Sequence, residues 1–247
     1  MTVAPRRLAL AHFLALAGVA SRRASEDLIR SGAAAVNGQV VRDVATRVSP
    51  DTDRVACGGR ELSLAPKRYY LLHKPAGYTC SAADRHAARL AIELLALPAG
   101  ERVFSVGRLD RDSEGLLLFT SDGDLANGLT HPRYGVLKTY CVEVAGRVGP
   151  VALKRLEQGV VDEGERLQAR QAEVVEQRSD TATLRIVVSE GKKREIRRMC
   201  RQLGLRVTRL RRVGFGPLEL GEFRPGFSRE LTPAELAQLR TAAGLRS

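Results

Sequence analysis

The sequence predicts an α+β protein in two parts. A small helix–helix–β module covers residues 1–65. A larger domain, a mostly antiparallel sheet flanked by helices, covers 66–247. Three observations carry this. Strand and helix periodicities after residue 69 alternate without the regular crossovers of a parallel sheet. Pro66 interrupts the pattern where a linker would sit. No period of 20–50 residues repeats, which excludes a solenoid. With 247 residues, 44% of them hydrophobic, the chain can build its cores without disulfide or metal staples.

Each element has its own signal. Leu8, Leu10, Phe13, Leu14 and Leu16 share a helical face, so a helix is expected over 7–17, ended by Gly18. Ser21 is a natural N-cap for a second helix, closed by Gly32. Residues 34–41 read as a hairpin turning at Asn37-Gly38, residues that tolerate positive φ, and short β pieces follow near Val48 and Val55. In the larger domain strands are expected at 69–73, 102–106, 115–120, 138–144, 172–176, 181–188 and 206–213. Helices are expected over 121–130, after Gly149-Pro150, and over 192–203 with Ile196, Met199, Cys200 and Leu203 facing inward. Thr232-Pro233-Ala234-Glu235 has capping-box spacing for a last helix.

Charge points to the partner. The net charge is +12, which implies a polyanion, with nucleic acid ahead of a membrane surface. Residues 190–212 hold ten basic side chains against Glu190 and Glu195, a net +8 and the pattern of a phosphate-binding face. The four cysteines (57, 80, 141, 200) and four histidines (12, 73, 86, 131) are scattered and form no C-x-x-C pair, so no metal or redox site is expected. Free thiols fit a reducing, cytoplasmic setting. Residues 6–20 imitate a secretory signal, but His12 breaks the apolar run and a second helix follows at once. No run reaches the ~18 apolar residues of a membrane span.

Three segments can carry chemistry. Gly107-Arg108-Leu109-Asp110 precedes Ser113-Glu114-Gly115 and an apolar strand. A lone loop aspartate is ordinarily a turn former or a cap. Lys138-Thr139-Tyr140 opens a strand, where a tyrosine ordinarily packs. Residues 190–199 read EGKKREIRRM, either a solvated basic helix or a phosphate-binding one.

Taken together, these segments resemble the RsuA-like branch of the pseudouridine synthases. The resemblance rests on GRLDRDSEGLLLFTSDGDL, the HP and KTY after it, EGKKREIRRM, and the ending RLRRVGFGPLELG. His73-Lys74-Pro75 with Gly77 is similar to the opening K-P-x-G of that family. LAGVASRR, LIRSG and VNG resemble the S4 RNA-binding module that many of its members carry. The match runs in order along nearly the whole chain.

The resemblance implies isomerisation of uridine to pseudouridine in ribosomal RNA, with the base flipped out of its stack and no cofactor. It implies Asp110 as the catalytic aspartate, Tyr140 as the motif tyrosine, and Arg197 as the basic residue that pairs with the aspartate. Arg108 sits where the family meets the flipped base. Arg22, Arg23, Arg30, Lys74, Lys138, Lys192, Lys193, Arg194, Arg198 and Arg201 are the expected RNA contacts. Ala9 and His12 stand where the S4 module usually has basic residues, which puts more weight on Arg22, Arg23 and Arg30. Ser113 replaces the commoner threonine. A monomer acting on 23S rather than 16S RNA, within ribosome precursors, is expected, with no metal and no membrane. The competing readings are a non-catalytic S4-domain RNA-binding or ribosome assembly factor, and a glycosylase that would release free uracil.

Overall fold

A computed structural model describes residues 7–64, 66–81 and 89–245. The chain divides into two compact units, Met1–Lys67 and Arg68–Ser247.

In the first unit a short strand β1 (Leu8–Ala9) leads into α1 (Leu10–Leu16), followed by α2 (Arg22–Ser31). The helix expected from residue 7 starts later because Leu8 and Ala9 pair with Val48 and Arg47 of β4 (Arg47–Val48). The Ser21 hydroxyl caps α2, accepting the Ala24 N–H at 3.3 Å, and Gly32 ends it in the left-handed region. β2 (Ala34–Val36) and β3 (Gln39–Val41) form the expected hairpin, with φ of 51° at Asn37 and 83° at Gly38. β5 (Val55–Cys57) and β6 (Arg60–Leu62) complete a four-stranded sheet in the order β3-β2-β5-β6. Leu10, Phe13, Leu14, Ile29, Val48 and Val55 form the core, so the apolar run of α1 is interior packing of this unit.

The second unit is built on one large sheet. Its strands are β7 (Tyr69–Lys74), β8 (Phe104–Val106), β9 (Glu114–Thr120), β10 (Lys138–Ala145), β13 (Gln171–Gln177), β14 (Thr181–Val188), β15 (Arg206–Phe215), β16 (Leu218–Glu219) and β17 (Ser228–Glu230). β11 (Val160–Asp162) and β12 (Glu165–Leu167) form a separate hairpin. The order is β13-β14-β10-β15-β9-β7-β17, antiparallel except where β15 meets β9 in parallel, Arg211 beside Glu114 and Arg212 beside Gly115. Leu116 and Leu118 of β9 face a core shared with α3 (Gly123–Thr130) and α6 (Pro233–Ala242), while Leu117 and Phe119 face a second core on the other side. Burial on both faces explains why this strand is continuously apolar. α4 (Pro150–Gln158) and α5 (Glu195–Gln202) cover β10, β14 and β15, with Ile196, Met199 and Cys200 facing inward as expected. α5 begins at Glu195 rather than 192 because Arg194 is left-handed, with φ of 51°.

Candidate active site

The parallel seam sets the stage. β9 pairs with β7 along one edge and shares its other edge between β15 at its start and β8 at its end. The connection from β8 to β9, residues 107–113, therefore leaves the sheet where β15 joins it. That connection carries Arg108, Leu109 and Asp110.

The loop is held from beneath. Leu109 is buried, and its N–H donates to Cys80 Sγ at 3.4 Å. The Ser113 N–H closes a turn on the Asp110 carbonyl at 3.1 Å, and the Gly77 N–H donates to the Arg111 carbonyl at 2.7 Å. Lys74 is completely buried, and its Nζ donates to the carbonyls of Ser113 at 2.6 Å and Pro75 at 3.0 Å. Burial lowers its pKa despite the nearby carboxyls. An ammonium so enclosed is a support for the loop, and the expected RNA contact at Lys74 is corrected accordingly.

Asp110, half-buried, and exposed Arg108 line a cleft of about 920 Å³. Lys138, Tyr140, Lys192, Lys193 and Arg194 line the same cleft, together with Cys80, Glu195, Arg212 and Phe215. Tyr140 and Lys138 project from one face of β10. Lys138 is buried, donates to the Ser189 carbonyl at 3.2 Å, and has its pKa lowered by burial and then by Arg212. Glu195, also buried, accepts the Lys192 N–H at 3.3 Å, and burial pushes its carboxyl up to about 7.

Arg197 is not where the sequence placed it. Its guanidinium binds Asp112, at 3.2 Å to both the carboxylate and the carbonyl oxygen, and no ion pair joins it to Asp110 among the described residues. Arg194 clasps the same carboxylate bidentately at 3.1 and 3.3 Å. Although partial burial pulls upward, the Arg194 hydrogen bonds and the Arg197 charge hold the Asp112 carboxyl below its usual range. Asp112 is the exposed member of the loop's aspartate pair, and it is the one that the start of α5 reaches.

The basic stretch is also less free than its composition suggests. Arg198 donates to Asp162 and Glu165 at 2.6 Å each, and Arg201 to Asp162 at 2.8 Å, tying α5 to the β11–β12 hairpin. Both lie outside the cleft lining, and both are engaged within the protein, although the Arg201 side chain is 62% exposed. Lys192 pairs with Glu190 at 2.9 Å, and Arg209 with Glu114 at 2.7 Å. Of the ten cations, Lys193, Arg206, Arg211 and Arg212 have no ion pair among the described residues. In the first unit Arg22 and Arg23 are exposed, whereas Arg30 pairs with Asp27 at 2.8 Å and Glu26 at 3.6 Å. Asp112, Glu195 and Arg212 lie within the quoted segments GRLDRDSEG, EGKKREIRRM and RLRRVGFGPLELG, but sequence reasoning assigned none of them a place in the site.

The sequence pattern described as RNA pseudouridylate synthase matches residues 68–202, more than half of the chain, and the S4 domain pattern matches 10–54. The chain belongs to the RNA pseudouridylate synthase family. As a member, it is an enzyme that isomerises uridine to pseudouridine in RNA, and it carries an S4 RNA-binding domain. It is 42% identical over 95% of its length to an uncharacterised RNA pseudouridine synthase of Aquifex aeolicus, covering 94% of that protein. It is 36% identical over 93% of its length to the ribosomal large subunit pseudouridine synthase B of Bacillus subtilis, covering 94% of that protein. The fold is similar to a crystal structure of a pseudouridylate synthase, with a TM-score of 0.66 and 28% identity, over 93% of this chain and 98% of the other. No helix among the described residues is long and apolar enough to cross a membrane.

Proposed function

We propose that this pseudouridine synthase acts on one uridine of ribosomal RNA, in the large subunit, as a cytoplasmic monomer, with Asp110 as the catalytic carboxylate. The observation that carries the reading is the shared cleft. Asp110 and Tyr140 line it with seven cations, Arg108, Arg111, Lys138, Lys192, Lys193, Arg194 and Arg212. The large-subunit substrate is supported by the name of the Bacillus subtilis relative.

The chemistry suits the residues. Pseudouridine formation breaks N1–C1′, turns the uracil and rejoins it through C5, with no net change in atoms or electrons. Extruding the nucleotide costs a few kcal/mol, which contacts with the flipped base and its backbone offset. The Asp110 carboxylate can attack C1′ or C6, or take a proton from C2′. Tyr140 stacks on the base, and its hydroxyl can carry the proton that leaves C5. Arg197 acts on the loop through Asp112, so here it is a positioning residue. Lys193 and the exposed Arg22 and Arg23 are candidates to meet phosphates, contacts that set register rather than read bases, and Arg108 is a candidate to meet the flipped base.

The test is a chemical map of pseudouridine across both ribosomal RNAs, with the gene deleted and then restored as wild type or as Asp110→Asn. One large-subunit site should vanish on deletion and return only with the wild-type gene. Return of the modification with Asp110→Asn would refute the role of the carboxylate. A missing site in the small subunit would refute the substrate.

A further inference from the structure

Two buried cations line the cleft without a salt bridge, although Glu195 and Glu190 lie near enough to Lys138 to favour its charge. Lys138 and Arg212 are each less than a tenth exposed, and neither forms an ion pair among the described residues. Arg212 donates from Nε to the Leu116 carbonyl at 2.7 Å and lies over the Phe215 ring at 5.0 Å, but its Nη2 is buried without a partner. An unsatisfied buried charge of this kind is costly and rare, and calls for a function.

The strand register says what the charge can reach. Arg212 is the cross-strand partner of Tyr140, and Lys138 stands two residues before Tyr140 on the same face of β10. Such partners have Cβ atoms about 4.5–5.5 Å apart. The register slips between Thr139 and Tyr140, a bulge of the type that re-aims side chains beside active sites. A base stacked on Tyr140 therefore has its edge beside Arg212. This step rests on the placement of the uracil proposed above.

We infer that Arg212, assisted by Lys138, is a catalytic group that stabilises the negative charge the uracil carries once N1–C1′ has broken. When that bond cleaves, its electron pair stays on N1 and spreads to O2 and O4. C1′ is taken up by an Asp110 carboxylate oxygen, or becomes doubly bonded to C2′ as Asp110 removes the C2′ proton. After the ring turns, C5 supplies the pair for the new bond to C1′, the C5 hydrogen leaves as a proton, and N1 regains one. If the C2′ proton was removed, Asp110 returns it. The ring is anionic only between those two events. A fixed cation at its edge thus favours the transition state over bound uridine. Arginine suits the task because it stays charged when buried.

The test compares uridine with 5-fluorouridine at the mapped target site, in single turnovers of full-length Arg212→Met, Arg212→Lys and wild type. Fluorine stabilises the uracil anion without help from the protein. Loss of the N1-linked nucleoside, read after nuclease digestion, reports bond breaking whatever happens later at C5. Arg212→Met should slow uridine about 100-fold, the effect of removing one preorganised donor, and 5-fluorouridine by no more than about tenfold. Arg212→Lys, which keeps a charge, should fall between. The ratio of the two rates within one preparation is independent of the folded fraction. The same slowing of both substrates in both variants would overturn the inference and leave Arg212 a structural residue. Full activity of Asp110→Asn would instead refute the reading of the site on which it rests.

Discussion

Asp112 is exposed, yet it holds Arg194 and Arg197 at once and so joins the loop of Asp110 to the start of α5. Exposed pairs are worth little to stability, so Asp112→Ala should cost under about 1 kcal/mol. The same change frees the loop, and misplacement of a reacting group is expensive. We therefore expect kcat to fall roughly tenfold or more with KM little changed. Steady-state kinetics beside a thermal melt separate the two effects. Glu195 predicts a pH effect of opposite origin. Burial raises its carboxyl from 4.5 to about 7. Below about pH 4.5 it is protonated in folded and unfolded chains alike. Between there and about 7 the unfolded chain releases a proton that the folded chain keeps, so stability falls as pH rises, by on the order of 3 kcal/mol at most. Glu195→Gln should match wild type near pH 5 and melt higher near pH 8. Melts across that range check it, and parallel curves for the two proteins would refute it. Asp110 and Tyr140, marked in the sequence by local motifs that resemble a family, do line one cleft. The partner of Arg197 was not legible in the sequence, since Asp112 and Asp110 differ by two residues and only the tertiary path of α5 chooses between them.

Among the elements, the parallel seam between β15 and β9 is the least tolerant. Gly115 has φ of 113°, and a Cβ there would collide with the backbone of Arg212. Gly115→Ala should therefore destabilise by more than about 3 kcal/mol and abolish activity, measurable by denaturant unfolding. The long strands were readable from composition, and β9 especially from its apolar run. The β11–β12 hairpin was not, although Glu163-Gly164 turns it with φ of 51° and 77°. Its strands are three residues each, too short for a period to register. What fixes it is long-range: Asp162, buried and held well below the usual carboxylate range by Arg201, Arg198 and Gln202. Asp162→Ala should lower the melting temperature by several degrees and loosen α5, seen as faster amide exchange over Glu195–Gln202.

At the scale of the molecule, the +12 charge sets the affinity for RNA. With about six phosphates engaged, binding should weaken roughly a thousandfold between about 50 and 200 mM salt. Replacing Arg22 and Arg23 with alanine should reduce that slope by about one for each phosphate no longer neutralised, and leave the single-turnover rate at saturation unchanged. Filter binding over a salt series decides this, and an unaltered slope would exclude those arginines from the interface. In the proposed mechanism catalysis turns on the Asp110 carboxylate. Each pseudouridine formed must release the hydrogen of C5, so ribosomal RNA labelled with tritium at C5 of uridine counts turnovers directly. Wild-type protein should release one tritium per target uridine, and Asp110→Asn none while binding the RNA as before. Release by Asp110→Asn at the wild-type rate would contradict the mechanism at its centre.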